Sequence, residues 1–213
     1  MRRSNNENSH IVSASSKSQI SEVYRLLRTK IQFFFKDQEL KTVMVTSSQP
    51  GEGKSTTISN LAIAYAQEGK NVLLIDADLR KPSLHRIFSS LNNPGLSTVL
   101  AGNSEVMDSI QETGYERLSL LPSGPVLANP SELIDSQTMC ELLEQLKLQY
   151  DVILIDTPSV LEVSDTVLIS ALCDGVIMVA AAGKVKKDHL KKAREQLDHV
   201  NARMLGIVMN RVM

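Results

Sequence analysis

Thr42-Val43-Met44-Val45-Thr46-Ser47-Ser48-Gln49-Pro50-Gly51-Glu52-Gly53-Lys54-Ser55-Thr56-Thr57 is the stretch that decides the fold. Residues 42–47 form a short β-branched apolar run, and a segment of helical period from about Ser55 to Gln67 follows. Between them the sequence matches G-x-x-x-x-G-K-[ST], with Ser48 standing at the first glycine. The chemistry explains the residue types. Gly51 and Gly53 let the backbone wrap phosphate oxygens with its N–H groups, and Lys54 can reach the β- and γ-phosphates. Ser55 offers a hydroxyl to Mg²⁺, and a helix starting there points its positive end at the anion. Gly51, Glu52, Gly53, Lys54, Ser55 and Thr56 are therefore the expected nucleotide contacts. An ordinary strand-to-helix turn has no use for Gly-Lys-Ser at this place.

Outward from this loop, apolar runs alternate with segments of helical period. They are NVLLID at 71–76, LSLLP at 118–122, DVILID at 151–156, GVIMVAA at 175–181 and MLGIVMN at 204–210. Such βα alternation predicts an α/β fold with a mostly parallel central sheet flanked by helices on both faces. One helix is expected over about 21–35, with Val23, Leu26, Leu27 and Ile31 as its apolar stripe. Another is expected over 136–148, burying Met139, Leu142, Leu143 and Leu146. The basic stretch Lys184–Arg194 reads as the solvated face of a helix that turns Leu190, Ala193, Leu197 and Val200 inward. Residues 1–19, rich in Ser and Asn, read as a flexible arm, and 20–213 as a single domain.

In open α/β sheets ligands sit beyond the carboxyl ends of the strands. The second run ends Asp76-Ala77-Asp78-Leu79-Arg80-Lys81-Pro82 and the fourth ends Asp156-Thr157-Pro158. Three carboxylates at strand tips beside a phosphate loop can hold Mg²⁺, directly or through water, and one of them can accept a proton. Arg80 and Lys81 either stabilise transferring charge or form a solvated basic pair. Asn210 closes the last run, where its amide either meets a nucleotide base or forms a turn.

Composition removes other classes. The 213 residues are 42% hydrophobic and carry a net charge of −1, so no global field draws the chain to nucleic acid or an anionic membrane. No apolar run approaches the roughly 20 residues needed to cross a bilayer. With no Trp, four Tyr and four Phe, the chain lacks the aromatics of a base-stacking platform. Cys140 and Cys173 lie in apolar-periodic segments and read as reduced core residues.

Taken with their order, the loop 48–55, the segment 74–80 and the strand end 153–158 resemble the bacterial tyrosine kinases that control capsular and exopolysaccharide synthesis. The resemblance covers about residues 18–212. It implies a P-loop NTPase of the MinD/ParA-like superfamily that binds ATP with Mg²⁺ and phosphorylates protein tyrosines. Lys54 and the loop amides would then hold the phosphates, and Ser55, Asp78 and Asp156 would manage Mg²⁺. Asp76 would take the tyrosine proton, and Arg80 would complete the catalytic set. Glu22-x-x-Arg25-x-x-Arg28, by pattern alone a helical charge stripe, is similar to the family's oligomerisation motif and implies a homo-oligomeric ring. Leu121–Pro125 with Asn129–Leu133 looks like a further family segment near the site. The resemblance also implies a cytoplasmic kinase without a span of its own. The tail of a membrane adaptor of the polysaccharide co-polymerase type would activate it and recruit it to the inner face of the membrane.

Two features depart from the family pattern. Tyr24, Tyr65, Tyr115 and Tyr150 are dispersed rather than gathered in a terminal cluster, and Ala180–Val185 lacks the family's arginine and threonine. An ATPase switch of the MinD/ParA type is the first alternative, although Gln49 stands where those proteins carry a signature lysine. A nucleotide-binding assembly subunit without kinase activity is the second.

Overall fold

The computed structural model describes residues 19–35, 40–127 and 129–211. The expected arm lies outside them, save for Gln19. The chain runs α1 (Gln19–Phe34), β1 (Thr42–Ser47), α2 (Lys54–Ala66), β2 (Val72–Asp76), α3 (Leu84–Ile87), α4 (Leu96–Leu100), α5 (Val106–Ser109), β3 (Gln111–Glu112) and β4 (Leu118–Leu121). It continues through α6 (Pro130–Ile134), α7 (Gln137–Lys147), β5 (Val152–Asp156), α8 (Asp165–Ala171), β6 (Gly175–Ala181), α9 (Lys187–His199) and β7 (Met204–Asn210). The strands form one sheet in the order β3-β4-β2-β5-β1-β6-β7. All neighbours are parallel except the two-residue β3, which pairs antiparallel with β4. The mostly parallel expectation holds. β3 itself is too short to leave a periodic signal in the sequence.

Successive strand residues feed two different cores, as the period of two requires. Val43, Val45, Leu74 and Leu154 pack with Ile58, Leu61 and Ala62 of α2 and with Ile31 and Phe35. Met44, Leu73, Ile75, Ile153 and Ile155 pack on the other face with α7, α8 and α9. Helices therefore cover both faces of the central strands, which is why those runs are apolar without a break. Each buried Leu or Ile contributes about 1.5–3 kcal/mol relative to exposure.

The helices keep most of their expected limits. In α7 the Ser136 hydroxyl accepts the Met139 N–H at 3.2 Å, an N-cap that fixes its start, and Met139, Leu142, Leu143 and Leu146 are buried. In α9 Ala193 and Leu197 are buried, while Leu190 and Val200 are half-buried. The apolar stripe of α1 does not go inside as a unit. Ile31 is buried, but Val23 is 63% and Leu26 55% exposed. The reason is that α1 rests on α2 instead of the sheet. It is held there by Arg28, which donates to the Ala64 carbonyl at 2.8 Å and pairs with Glu68 at 3.3 Å. Cys140 and Cys173 are free and half-buried rather than fully in the core.

Candidate active site

Parallel pairing brings the carboxyl ends of β2, β5, β1 and β6 to one edge of the sheet. There Asp76 lies directly across from Asp156 in the β2–β5 register. β5 sits between β2 and β1, so the loops after these three strands converge, the usual place for a ligand in such sheets.

The loop after β1 braces itself. Gly51 and Gly53 take positive φ of 76° and 96°, conformations that favour glycine. Gly53 is needed twice over, because a Cβ there would stand 1.9 Å from the Asn210 side-chain nitrogen. That nitrogen donates to the Glu52 carbonyl at 3.0 Å, and the Asn210 Oδ1 accepts the Arg211 N–H. In this arrangement the Asn210 amide braces the loop from the end of β7. The Glu52 side chain is buried and accepts from the Ser48 hydroxyl and the Gln49 N–H, both at 3.0 Å. A phosphate is therefore offered only the main chain of Glu52. Ser48 is at the first-glycine position because its hydroxyl holds that carboxylate.

Lys54 opens α2 and donates to the Ser159 hydroxyl at 3.5 Å; Ser159 in turn lies 3.2 Å from the Ser47 hydroxyl. Asp76 and Asp156 are both fully buried. Asp76 Oδ2 accepts the N–H groups of Ser83 and Leu84 at 3.0 and 2.9 Å, and Oδ1 accepts that of Asp78 at 3.2 Å. Burial first, and the Asp156 charge second, push the Asp76 carboxyl well above the usual carboxylate range. Burial raises Asp156 likewise, opposed by Lys54 and by a hydrogen bond from Ser55. Asp156 Oδ1 is buried without a hydrogen-bond partner. Two adjacent buried carboxyls with an orphaned oxygen beside a lysine and a serine hydroxyl ask for a cation. Among the described residues no three or more His, Cys, Asp and Glu side chains make a ready metal cage. The buried carboxyls and the Ser55 hydroxyl suit Mg²⁺, which takes one or two carboxylates and fills the rest of its shell with water and phosphate oxygen.

The structure brings Lys54, Ser55, Asp76, Asp78 and Asp156 together. Arg80 is turned elsewhere: its Nε donates to Asp165 Oδ2 at 3.0 Å and its Nη2 to the Ser131 hydroxyl at 2.9 Å. Lys81 pairs with Glu162 at 2.6 Å on the surface. On α1, Glu22 and Arg25 form an exposed pair at 2.9 Å, whereas Arg28 is packed against α2. The first turn of α1 nevertheless reaches the site. Ile20, Val23 and Tyr24 line a cavity of about 530 Å³ with Gly53, Thr56, Met209 and Asn210. Sequence reading places Ser48 in the phosphate loop and Ser131 in a segment near the site without a role for either hydroxyl, and it misses Ser159 and Asp165. Ser159 has a positional signal, lying three residues past Asp156 at a strand tip.

Strand order, phosphate loop and paired strand-tip carboxylates define a P-loop NTPase of the MinD/ParA type. The comparisons agree. A family model described as an AAA domain matches residues 40–204. The septum site-determining protein MinD of Pyrococcus horikoshii, solved with Mg-ADP, superposes with TM-score 0.69 at 28% identity, covering 80% of this chain and 70% of that one. Closer likenesses narrow the class. The tyrosine-protein kinase YwqD of Bacillus subtilis (strain 168) is 44% identical over 94% of this chain and 84% of its own length. The crystal structure of the chimerical protein CapA2B2 superposes with TM-score 0.89 at 43% identity, covering 92% of this chain and 86% of that one. The chain belongs to the bacterial tyrosine-protein kinases of the capsular and exopolysaccharide type.

Proposed function

We propose that this chain transfers the γ-phosphate of ATP to protein tyrosines and so regulates capsular or exopolysaccharide synthesis. The observation that carries this reading is the buried Asp76–Asp156 pair beside Lys54, with an orphaned oxygen on Asp156. The loop amides and Lys54 hold the phosphates. Ser55, Asp78 and Asp156 would hold Mg²⁺, which neutralises phosphate charge when bound. Asp76, made more basic by burial, accepts the phenolic proton as the tyrosine oxygen bonds to the γ-phosphorus and the bond to ADP breaks. Its Oδ1, with a single 3.2 Å bond, is the oxygen less committed to the backbone. Arg80 belongs to this set as the residue that holds the Asp78 turn.

Residues 20–213 act as a single kinase domain that assembles into a homo-oligomeric ring through α1, where Glu22 and Arg25 are exposed beside Val23 and Leu26. Among the described residues no helix is long and apolar enough to cross a membrane. The kinase acts in the cytoplasm, recruited and activated by the cytoplasmic tail of a polysaccharide co-polymerase adaptor. The likeness to tyrosine kinases at 44% and to MinD at 28% identity favours the kinase over the switch ATPase.

The test mixes the protein, the adaptor tail and Mg-ATP with a tyrosine-rich polypeptide and measures phosphotyrosine. Lys54→Met and Asp76→Asn should each lower the rate by about 10²–10³-fold, the range that one charge-stabilising donor or a general base contributes. A silent wild type, or full activity in Asp76→Asn, overturns the reading.

A further inference from the structure

The turn that carries Asp78 is fastened by groups outside the phosphate chemistry. Asp78 Oδ1 accepts the backbone N–H of Arg80 at 3.3 Å and of Lys81 at 2.9 Å, so the carboxylate moves with the backbone of those two residues. The Arg80 side chain then leaves the turn and closes a three-membered network. Its Nε and Nη2 donate to the two oxygens of Asp165 at 3.0 and 3.3 Å, and Nη2 also donates to the Ser131 hydroxyl at 2.9 Å. The Ser131 hydroxyl donates to Asp165 Oδ1 at 2.5 Å. Asp165 is fully buried at the start of α8, and Ser131 lies in α6.

A buried carboxylate is tolerated only when its lone pairs are filled, and a two-point guanidinium contact fixes orientation as well as charge. The network therefore joins three segments, the turn after β2, α6 and α8, at one rigid point. The neighbouring Lys81–Glu162 pair adds little, because both partners reach solvent.

We propose that Asp165 and Ser131 are positioning residues that fix the Mg²⁺-binding carboxylate of Asp78 by locking the guanidinium of Arg80. This rests on the reading of Asp78 as a Mg²⁺ ligand. It assigns a part to the Asn129–Leu133 segment and explains why Arg80 points away from the phosphates. Ser131→Ala leaves Asp165 one donor short and lets the guanidinium rock, and the slack reaches Asp78 through the two backbone bonds.

The test uses Ser131→Ala, Ser131→Thr and Asp165→Asn, with two readouts besides kinase rate. In protein free of nucleotide and Mg²⁺, hydrogen exchange at the Arg80 and Lys81 amides should quicken about tenfold in Ser131→Ala, the mark of local opening. The Mg²⁺ concentration that half-saturates binding of a fluorescent ATP analogue should rise about tenfold, the low end for loss of an outer partner of a metal ligand. Affinity measured in EDTA should stay at the wild-type value, and the melting temperature should fall by only a few degrees, the cost of one unfilled acceptor on buried Asp165. Ser131→Thr, which keeps the hydroxyl, should restore exchange and Mg²⁺ response. If Asp165→Asn does not fold, the Ser131 pair carries the test. Unchanged exchange and unchanged Mg²⁺ response in Ser131→Ala overturn the proposal, as does faster exchange spread over the whole chain. Wild-type binding indifferent to Mg²⁺ removes the metal reading of Asp78 and the proposal with it. Mg²⁺-dependent wild-type binding without phosphotyrosine removes the kinase reading alone.

Discussion

β5 and β7 are both short apolar runs ending in a polar residue, DVILID and MLGIVMN, and hydropathy does not separate them. In the fold they are opposites. β5 lies between β2 and β1 with every residue buried, whereas β7 is one of the two edge strands and, among the described residues, pairs with β6 alone. On it Ile207 is 49% exposed and Met209 is exposed beside the open side of α1. Position in the sheet, set by the order of crossovers, decides what the same side chains contribute. At the centre they build the core that holds Asp76 and Asp156 in register. At the edge they are surface.

The largest separation between the two regions should come from truncation. Leu154→Ala in β5 removes a fully buried side chain packed under α2, and should cost about 2–5 kcal/mol in denaturant unfolding. Ile207→Ala in β7 should stay within about 0.5 kcal/mol, as exposed substitutions do. Similar losses at both sites would erase the distinction between centre and edge.

The next effect comes from charge at the centre and is read in its direction. Burial first, and for Asp76 the Asp156 charge second, hold the folded values of the pair well above the unfolded ones near 3.8. Below pH 4 both carboxyls are protonated in either state and their contribution is complete. As pH rises toward 8 the unfolded chain sheds protons that the folded chain still holds, and stability is lost. The nucleotide-free protein should therefore melt at lower temperature at pH 8 than at pH 5. Asp156→Asn should flatten that decline by removing one acid and its repulsion on the other. His85, held below its ordinary value by burial and then by Arg86, acts in the opposite sense in both proteins and cancels in the difference. Parallel pH profiles for wild type and variant would show that the pair does not carry the effect.

The phosphate loop, the α/β class and the strand tips were legible because each is a local signal: period, glycine spacing, or a carboxylate after an apolar run. What was not legible depends on partners far along the chain. The apolar stripe of α1 does not tell that Val23 and Leu26 stay exposed, which follows from α1 resting on α2 through Arg28 and the Ala64 carbonyl 36 residues away. For Asn210 the sequence offers a base contact or a turn, and the bond from its amide to the Glu52 carbonyl spans 158 residues of sequence, beyond any local signal. Asp165 looks like any acid at a helix start until Arg80, 85 residues earlier, is brought to it. Ser131 sits in a family-like segment and Ser159 three residues past Asp156, but neither position tells what its hydroxyl meets.

The smallest effect on stability should mark the edge most clearly. Val23→Ser with Leu26→Ser changes two side chains that face solvent on α1, so monomer unfolding should shift by about 0.5 kcal/mol or less. Glu22→Ala with Arg25→Ala breaks an exposed i,i+3 pair worth only a few tenths of a kcal/mol. Arg28→Ala differs, because it strips a donor from the Ala64 carbonyl and a partner from Glu68, and should cost about 1 kcal/mol. Light scattering separates folding from assembly. If α1 is the ring contact, the first two variants should lose mass while keeping wild-type unfolding curves, and Arg28→Ala should lose both mass and stability. Unchanged mass in the Val23/Leu26 variant would return that face to ordinary surface. A loss comparable to that of Leu154→Ala would mean that these residues are core after all.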